Sequence, residues 1–445
     1  MDFCGLFLSC VVFYVRICAE DAVLRWICAG VMGMGVASCA VAQMNMGGPA
    51  VSLRENVLRH MGSGTSLEPA SSAPPMVMAM RPSGWMLMAH GEASLVEQQQ
   101  TGPRGHDKFF SVNWVMPMAQ KDFGKGELTL RAMFSLEPAT ITGRYYPELF
   151  QEGETAYGKP IVDGQHPHDL FMELAGIYDY KVGAHGLLSL YAGPVGDPAL
   201  GPEAFPHRAS IGDDPLAPLG HHLEDSTHIA DDVVTGGLGW GWGQRGVRVE
   251  ASGFHGREPD ENRWHIEAGA VDTWSTRVTA APGKDWSMQY SVGHLHSPEQ
   301  VHPEEDVLRQ TASVAYHHAT GWGALNAMAV WGRNHTTGSA INANGYLLEA
   351  ALRPQKQVVW TRIENADRTT DLLGALAPPV ESVVGRVQAY TGGYAHRVWA
   401  WGDGSAELGA QVTGYGVPGT LKGLYGGHPA GVAGVFTVRL GKGER

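Results

Sequence analysis

From about residue 85 onward, apolar and polar residues alternate with a period of two over stretches of about ten, each ending in turn-forming residues. That is the length and period of a strand crossing a membrane with one face in lipid and the other in water. ELTLRAMFSLE is the clearest stretch. It sets Leu128, Leu130, Ala132, Phe134 and Leu136 on one face and Glu127, Thr129, Arg131, Met133, Ser135 and Glu137 on the other. The same reading sends Phe110, Val112, Trp114 and Met116 of FFSVNWVM to the lipid face. With them go Leu170, Met172, Leu174 and Tyr178 of DLFMELAGIYDY, and Trp286, Met288, Tyr290 and Val292 of WSMQYSVG. WGALNAMAVWG is apolar on both faces. A helical period fits none of these segments, and their Gly, Thr, Val and aromatic content favours strand.

The connections carry an independent signal. Short ones (AQKDFGKG, KVGA, GWGQRG, APGK, ATG, RPQK, WGDGS) alternate with long ones: residues 138–167, residues 194–229, HGREPDENRWHIEAG, HSPEQVHPEED, GRNHTTGSAIN, NADRTTDLLGALAPP and YGVPGTLKGLYGGHPAG. Short turns on one rim and long loops on the other are what an outer-membrane barrel requires, and strands can cross lipid only in a sheet that closes. The expectation is therefore an all-β protein, a transmembrane antiparallel barrel of about 16 strands, with 14 also tolerable, closed by GVAGVFTVRL with Val432, Phe436, Val438 and Leu440 on one face. A barrel of that size leaves a water-filled channel unless loops fold into it. A propeller would show a blade repeat, and none is found.

All five cysteines, Cys4 to Cys39, precede residue 40. Arg25, the apolar run WICAGVMGMGVAS and then AVA before Gln43 have the order of an export signal, so residues 1–42 are expected to be a signal peptide, whose extra apolar stretch over residues 1–24 an over-extended start would explain. VASC ending at Cys39 offers a weaker, lipoprotein-like alternative. Cleavage there removes every thiol, and with it any disulfide framework or cysteine metal site. It also takes Asp2, Glu20, Asp21, Arg16 and Arg25, leaving 42 acids against 30 bases, a net charge of −12 that argues against a nucleic-acid partner. Residues 43–84, rich in Met, Ser, Pro and Gly, read as a periplasmic arm or plug, largely disordered, with the barrel over residues 85–445.

Inward positions give a charged lumen: Glu127, Arg131, Glu137, Asp169, Glu173, Arg248 and Glu250, with Arg277 and Arg309. GREPDENRW, with Arg257, Glu258, Asp260, Glu261 and Arg263, is a loop that could fold inward as a constriction. Twenty histidines are present, densest in DGQHPHD (His166, His168, Asp169) and GHHLEDSTHIADD (His221, His222, Asp225, His228). In an extended segment His166 and His168 point the same way; in a helix His221, Asp225 and His228 share a face. Imidazole with carboxylate suits zinc, copper or nickel, although loop histidines are often only solvated polar residues. In the first strand Met86, Met88, His90 and Glu92 turn inward, and Met44, Met46, Met76, Met78 and Met80 stand in the arm, a combination that favours copper. No strained nucleophile turn or phosphate loop is present, so an enzyme is not expected.

The stretches GWMLMAHG, TLRAMFSLEPAT, GETAYGKPIVDGQHPHDLFMELA, PHRAS followed by PLAPLGHHLEDSTHI, and ASGFHGREPDENRW together resemble an uncharacterised family of bacterial outer-membrane proteins, porin-like barrels with Met- and His-rich segments. The Met and His content is loosely similar to that of outer-membrane copper-resistance barrels. The resemblance implies location and fold and supplies no substrate or site. The first expectation is a porin-like channel for small polar solutes or cations, in contact with outer-membrane lipid and able to form a homo-oligomer. The alternatives are a metal-binding barrel in copper or zinc tolerance and, behind it, an outer-membrane lipid-modifying enzyme.

Overall fold

The alternating stretches pair edge to edge, each with its chain neighbour, into one antiparallel sheet that closes on itself. In a computed structural model, which describes residues 50, 52–72, 75–226, 230–339, 341–377 and 381–441, the barrel has sixteen strands. They are β1 (Met86–Gln100), β2 (Lys108–Phe123), β3 (Gly126–Phe134), β4 (Phe171–Val182), β5 (Gly186–Val195), β6 (Asp231–Trp242), β7 (Arg245–His255) and β8 (Thr273–Ala281). There follow β9 (Trp286–Leu295), β10 (Val307–Thr320), β11 (Gly323–Thr336), β12 (Asn342–Arg353), β13 (Gln357–Thr369), β14 (Val383–Trp401), β15 (Gly404–Gly416) and β16 (Ala430–Leu440). Closure comes from β1 against β16, from Gly91 opposite Leu440 to Gln100 opposite Gly431. Where β16 has ended, a short strand, Val77–Met80, takes over the free end of β1.

The short connections become turns at residues 124–125, 183–185, 243–244, 282–285, 321–322, 354–356 and 402–403, the periplasmic rim of such a barrel. Between them run loops L1 to L8, at residues 101–107, 135–170, 196–230, 256–272, 296–306, 337–341, 370–382 and 417–429. Leu130, Leu190, Leu238, Val249, Tyr290, Leu348 and Val412 are exposed on the outer surface. Trp240, Trp242, Trp286, Trp322, Trp399 and Trp401 gather at the turn rim as an aromatic girdle. An outer surface this apolar over a polar interior is stable only with lipid outside. No helix among the described residues is long and apolar enough to cross a membrane.

One strand runs against the expected face. In β2, Phe110, Val112 and Met116 are buried and point inward, while Phe109 and Val115 are exposed. The inner face accepts apolar groups here because L2 folds in beneath it, with Tyr146 stacked on Phe110 at 4.6 Å.

The lumen is filled from both ends. A helix, α1 (Leu53–Arg59), capped by Ser52, packs Leu53 and Val57 near the turn rim against Leu187. Residues 60–66 then run up inside the wall to Glu203 of L3, and residues 67–72 return to the turn rim, where the Ser71 amide donates to the Lys284 carbonyl, so this part of the arm is ordered, not disordered as its composition suggests. From the other rim it is L3 that crosses the lumen, not the GREPDENRW stretch, which stays in L4 at the mouth. L3 lies close against the wall because β11 and β12 present facing glycines: a Cβ on Gly332 would sit 2.1 Å from the Leu223 carbonyl oxygen, and Gly345 faces Glu224. Above it L2, L3, L7 and L8 share an apolar cluster with Leu149, Phe150, Leu219, Leu372, Leu421 and Tyr425. The proposed signal peptide, residues 1–42, lies outside the described residues.

Candidate functional site

Of the expected lining residues, Glu127, Arg131, Glu173, Arg248 and Glu250 stand on strands with buried, inward side chains, whereas Glu137 and Asp169 stand in L2 and not in the wall; the structure uses most of them to hold the fillings. Arg131 bridges to Glu173 at 2.7 Å, and Glu173 also accepts from the Tyr191 hydroxyl. The same guanidinium donates to the backbone carbonyls of His60, Gly62 and Gly64 in the arm. Glu250 sits between Arg248 (3.2 Å) and Arg277 (3.1 Å), and Arg277 reaches the Thr65 hydroxyl and the Gly201 carbonyl. Glu127 takes a hydrogen bond from Gln120. Glu137, fully buried, accepts from the His168 and Asn113 amides, while Asp169 faces Arg263 at 3.6 Å. Arg309 donates to the Asp225 carbonyl.

What remains open is a cavity of about 540 Å³ between the turn rim and L3. Its charged lining is arranged in pairs: Arg439 with Glu92 (2.6 Å), Glu407 (2.8 Å) and Asp213 (2.9 Å), and Arg397 with Glu407 (3.3 Å). Of these only Glu92 stood among the expected inward residues. Glu407 and Arg439 follow from the same parity rule, but nothing marked them as partners across the β1–β16 closure.

The histidines separate. Nε2 of His166 lies 2.5 Å from Glu154, whose other oxygen holds Arg263 at 2.6 Å. His221 and His222 open a one-turn helix in L3, and one nitrogen of each lies within 4.8 Å of one on His166. His168, two residues on, points elsewhere, its Nδ1 2.8 Å from Glu137. Burial, aided by Arg263, pushes His166 down to about 4, and burial with the neighbouring imidazoles holds His222 well below its ordinary value. His168 is equally buried, yet Glu137 raises it above the ordinary value. Asp225 lies beside His221 at 3.9 Å and Arg208 at 3.1 Å. The helical face expected over His221, Asp225 and His228 does not form, since the helix ends at Glu224 and His228 lies outside the described residues. Glu154 escaped the sequence reading because nothing in GETAYG marks it as the partner of a histidine twelve residues on.

A second wall is sulfur-rich. Met76, Met88, Met116, Met118 and Met133 form one buried cluster, with Met61, Met78, Met86, Trp114 and Met172 against it. His90 stands beside His207 and Trp114, and His207 Nε2 is 3.2 Å from the Met133 sulfur. His207, a single histidine in PHRAS, carried no spacing signal.

No family model matches the chain, and no curated protein matches it. Solved structures do. An anion-selective porin from Comamonas acidovorans is 10% identical with a TM-score of 0.45, covering 80% of this chain and 100% of its own. OmpF of Salmonella typhi, in complex with daunomycin, is 9% identical with a TM-score of 0.48, over 82% and 100%. OprB of Pseudomonas putida is 9% identical with a TM-score of 0.48, over 80% and 94%. The similarity to copper-resistance barrels has no counterpart among these. With its closed sheet, apolar outer surface and girdle, the protein is a bacterial outer-membrane β-barrel of sixteen antiparallel strands.

Proposed function

We propose that the protein is a narrow porin-like channel for small polar solutes, with residues 52–72 as its stopper on the periplasmic side. The observation that carries this reading is the cavity of about 540 Å³ left inside a closed, polar-lined barrel, a size in the range of small-molecule sites, about 300–1,000 Å³. Because Arg439, Arg397, Glu92 and Glu407 pair with one another along it, the passage favours neutral or zwitterionic solutes and gives little basis for a cation preference. The test is swelling of liposomes carrying the refolded chain, with reversal potentials in a salt gradient. Entry of a monosaccharide but not a trisaccharide, with a cation-to-anion permeability ratio near one, is the expected result. Failure of every solute to enter, with no ion current, would remove the channel reading.

A further inference from the structure

L2 and L3 do not belong to the wall, yet they bring three imidazoles together at the loop side of the lumen. The rings of His221 and His222 are 3.9 Å apart, and that of His166 is 6.3 Å and 6.0 Å from them. We infer that His166, His221 and His222, with Glu154 as a fourth donor, form a binding site for a divalent transition metal of the zinc and copper(II) class. This goes beyond the channel and does not depend on it.

The neighbours fix which nitrogens would bind. Nδ1 of His166 lies 2.8 Å from the Pro167 carbonyl oxygen. A carbonyl can only accept, so Nδ1 carries a hydrogen; Nε2 and the Glu154 oxygen 2.5 Å away share a proton, and a metal ion binding there would displace it and take the Nε2 lone pair. Nε2 of His221 lies 3.0 Å from Oε1 of Gln165, an oxygen that also accepts from the Gln151 amide. The lone pair of His221 is then on Nδ1. A ligating histidine ordinarily gives its other N–H to a carbonyl or carboxylate, which fixes ring and tautomer, and both rings here have that support. Arg263 does the same for Glu154 by holding its second oxygen.

Distance and donor type agree with the assignment. A tetrahedral ion with bonds of about 2.1 Å sets its nitrogens about 3.4 Å apart. One nitrogen of each of the three rings lies within 4.8 Å of one on each of the others, so closing those pairs on the ion shortens each by no more than about 1.4 Å, while the Glu154 oxygen, 2.5 Å from Nε2 of His166, opens by about 0.9 Å. Three imidazoles and one carboxylate suit zinc or copper(II); calcium and magnesium take oxygen sets. Because His166 comes from L2 and the other two from L3, the ion would also fasten the two loops together over the mouth.

The experiment titrates the refolded full chain with Zn²⁺ by calorimetry and with Co²⁺ by absorption. One Zn²⁺ per chain and a tetrahedral Co²⁺ spectrum displaced by Zn²⁺ are expected. His221→Ala with His222→Ala should weaken Zn²⁺ binding on the order of 100-fold or more. Gln165→Leu, which removes only the acceptor behind His221, should weaken it about 10-fold while the unheated protein still migrates as a folded barrel. His302→Ala, in the separate cluster with Glu299 and Asp371, should change nothing. Undiminished binding in the double variant, an octahedral Co²⁺ spectrum, or loss of binding in His302→Ala would each overturn the assignment.

Discussion

The two segments that fill this barrel are held in different ways. The arm offers mainly neutral backbone to the wall: Arg131 reaches three of its carbonyls, Gln120 a fourth at Leu58, and Ser287 a fifth at Leu67, with His60 against Asp179 as its one buried ionic contact among the described residues. L3 offers charge. Asp213 binds Arg353 and Arg439, Asp214 binds Arg362, and Asp225 binds Arg208, an L3 residue that also lies 3.8 Å from Glu349 in the wall. L3 is also joined to the barrel at both ends, whereas within the described residues the arm joins the wall only through β1. A segment tied at one end and held mostly through its backbone can leave at the cost of one wall partner, the His60 imidazole 2.7 Å from Asp179. L3 leaves at a larger cost, because its departure would take Arg208 from the buried Glu349 and one carboxylate each from Arg353, Arg362 and Arg439.

The sharpest way to break that comparison is to delete residues 50–72. If the arm is a separable stopper, the barrel should still fold and single-channel conductance should rise on the order of threefold or more, since an unplugged barrel of this size is a water-filled channel. Unchanged conductance would mean that L3 alone closes the passage. Arg131→Ala comes next. It removes the donor to the arm and leaves Glu173 buried without its cation, a change that typically costs roughly 3–5 kcal/mol. Guanidinium unfolding in vesicles measures it, and the same variant should share part of the conductance gain. On the L3 side, Gly332→Ala puts a methyl 2.1 Å from the Leu223 carbonyl oxygen. That crowding should cost roughly 1–3 kcal/mol in the same unfolding assay. Conductance should stay near its starting value, because the loop remains tied at both ends.

How much of this was legible in the chain depends on how local the cause is. The wall was legible because parity repeats: Leu128 to Leu136 against Glu127 to Glu137 leaves one choice of face, and the turns at KVGA or WGDGS need only their own residues. β2 was not, because FFSVNWVM is apolar at both parities. Phe109 and Val115 would serve lipid as well as Phe110 and Val112. Tyr146, 36 residues from Phe110, settles it. The lumen charges were legible as inward but not in purpose, since parity says where Arg131 points and not that Gly62 will arrive to meet it. The histidines behave likewise. Both DGQHPHD and GHHLEDSTHI stand out by density, yet which of His166 and His168 meets His221 depends on how L2 is anchored, by Glu137 on one side and by Glu154 with Arg263 on the other.

The smallest expected effect is a pH dependence confined to the arm. Glu68 lies within the packed arm, with Oε1 buried and lacking a hydrogen bond. Burial raises its pKa to about 8, and the nearby Glu203 and Glu349 add to this while Arg208 opposes it. The docked arm therefore holds a proton that a released arm, with an ordinary carboxyl near 4.5, gives up. Below that ordinary value both states are protonated and docking carries no penalty. As pH rises from there the penalty grows, and it is complete above about 8. Open probability of the intact chain should accordingly increase between pH 5 and 8.5, and Glu68→Gln, neutral throughout, should flatten that part of the curve. Glu203 lies in L3 and accepts from the Ser63 amide and the Ser66 hydroxyl of the arm, so ionising Glu68 repels the loop that stays and works against the segment that can leave. A slope that survives Glu68→Gln would place the titrating group in L3 instead and erase the distinction between the two fillings.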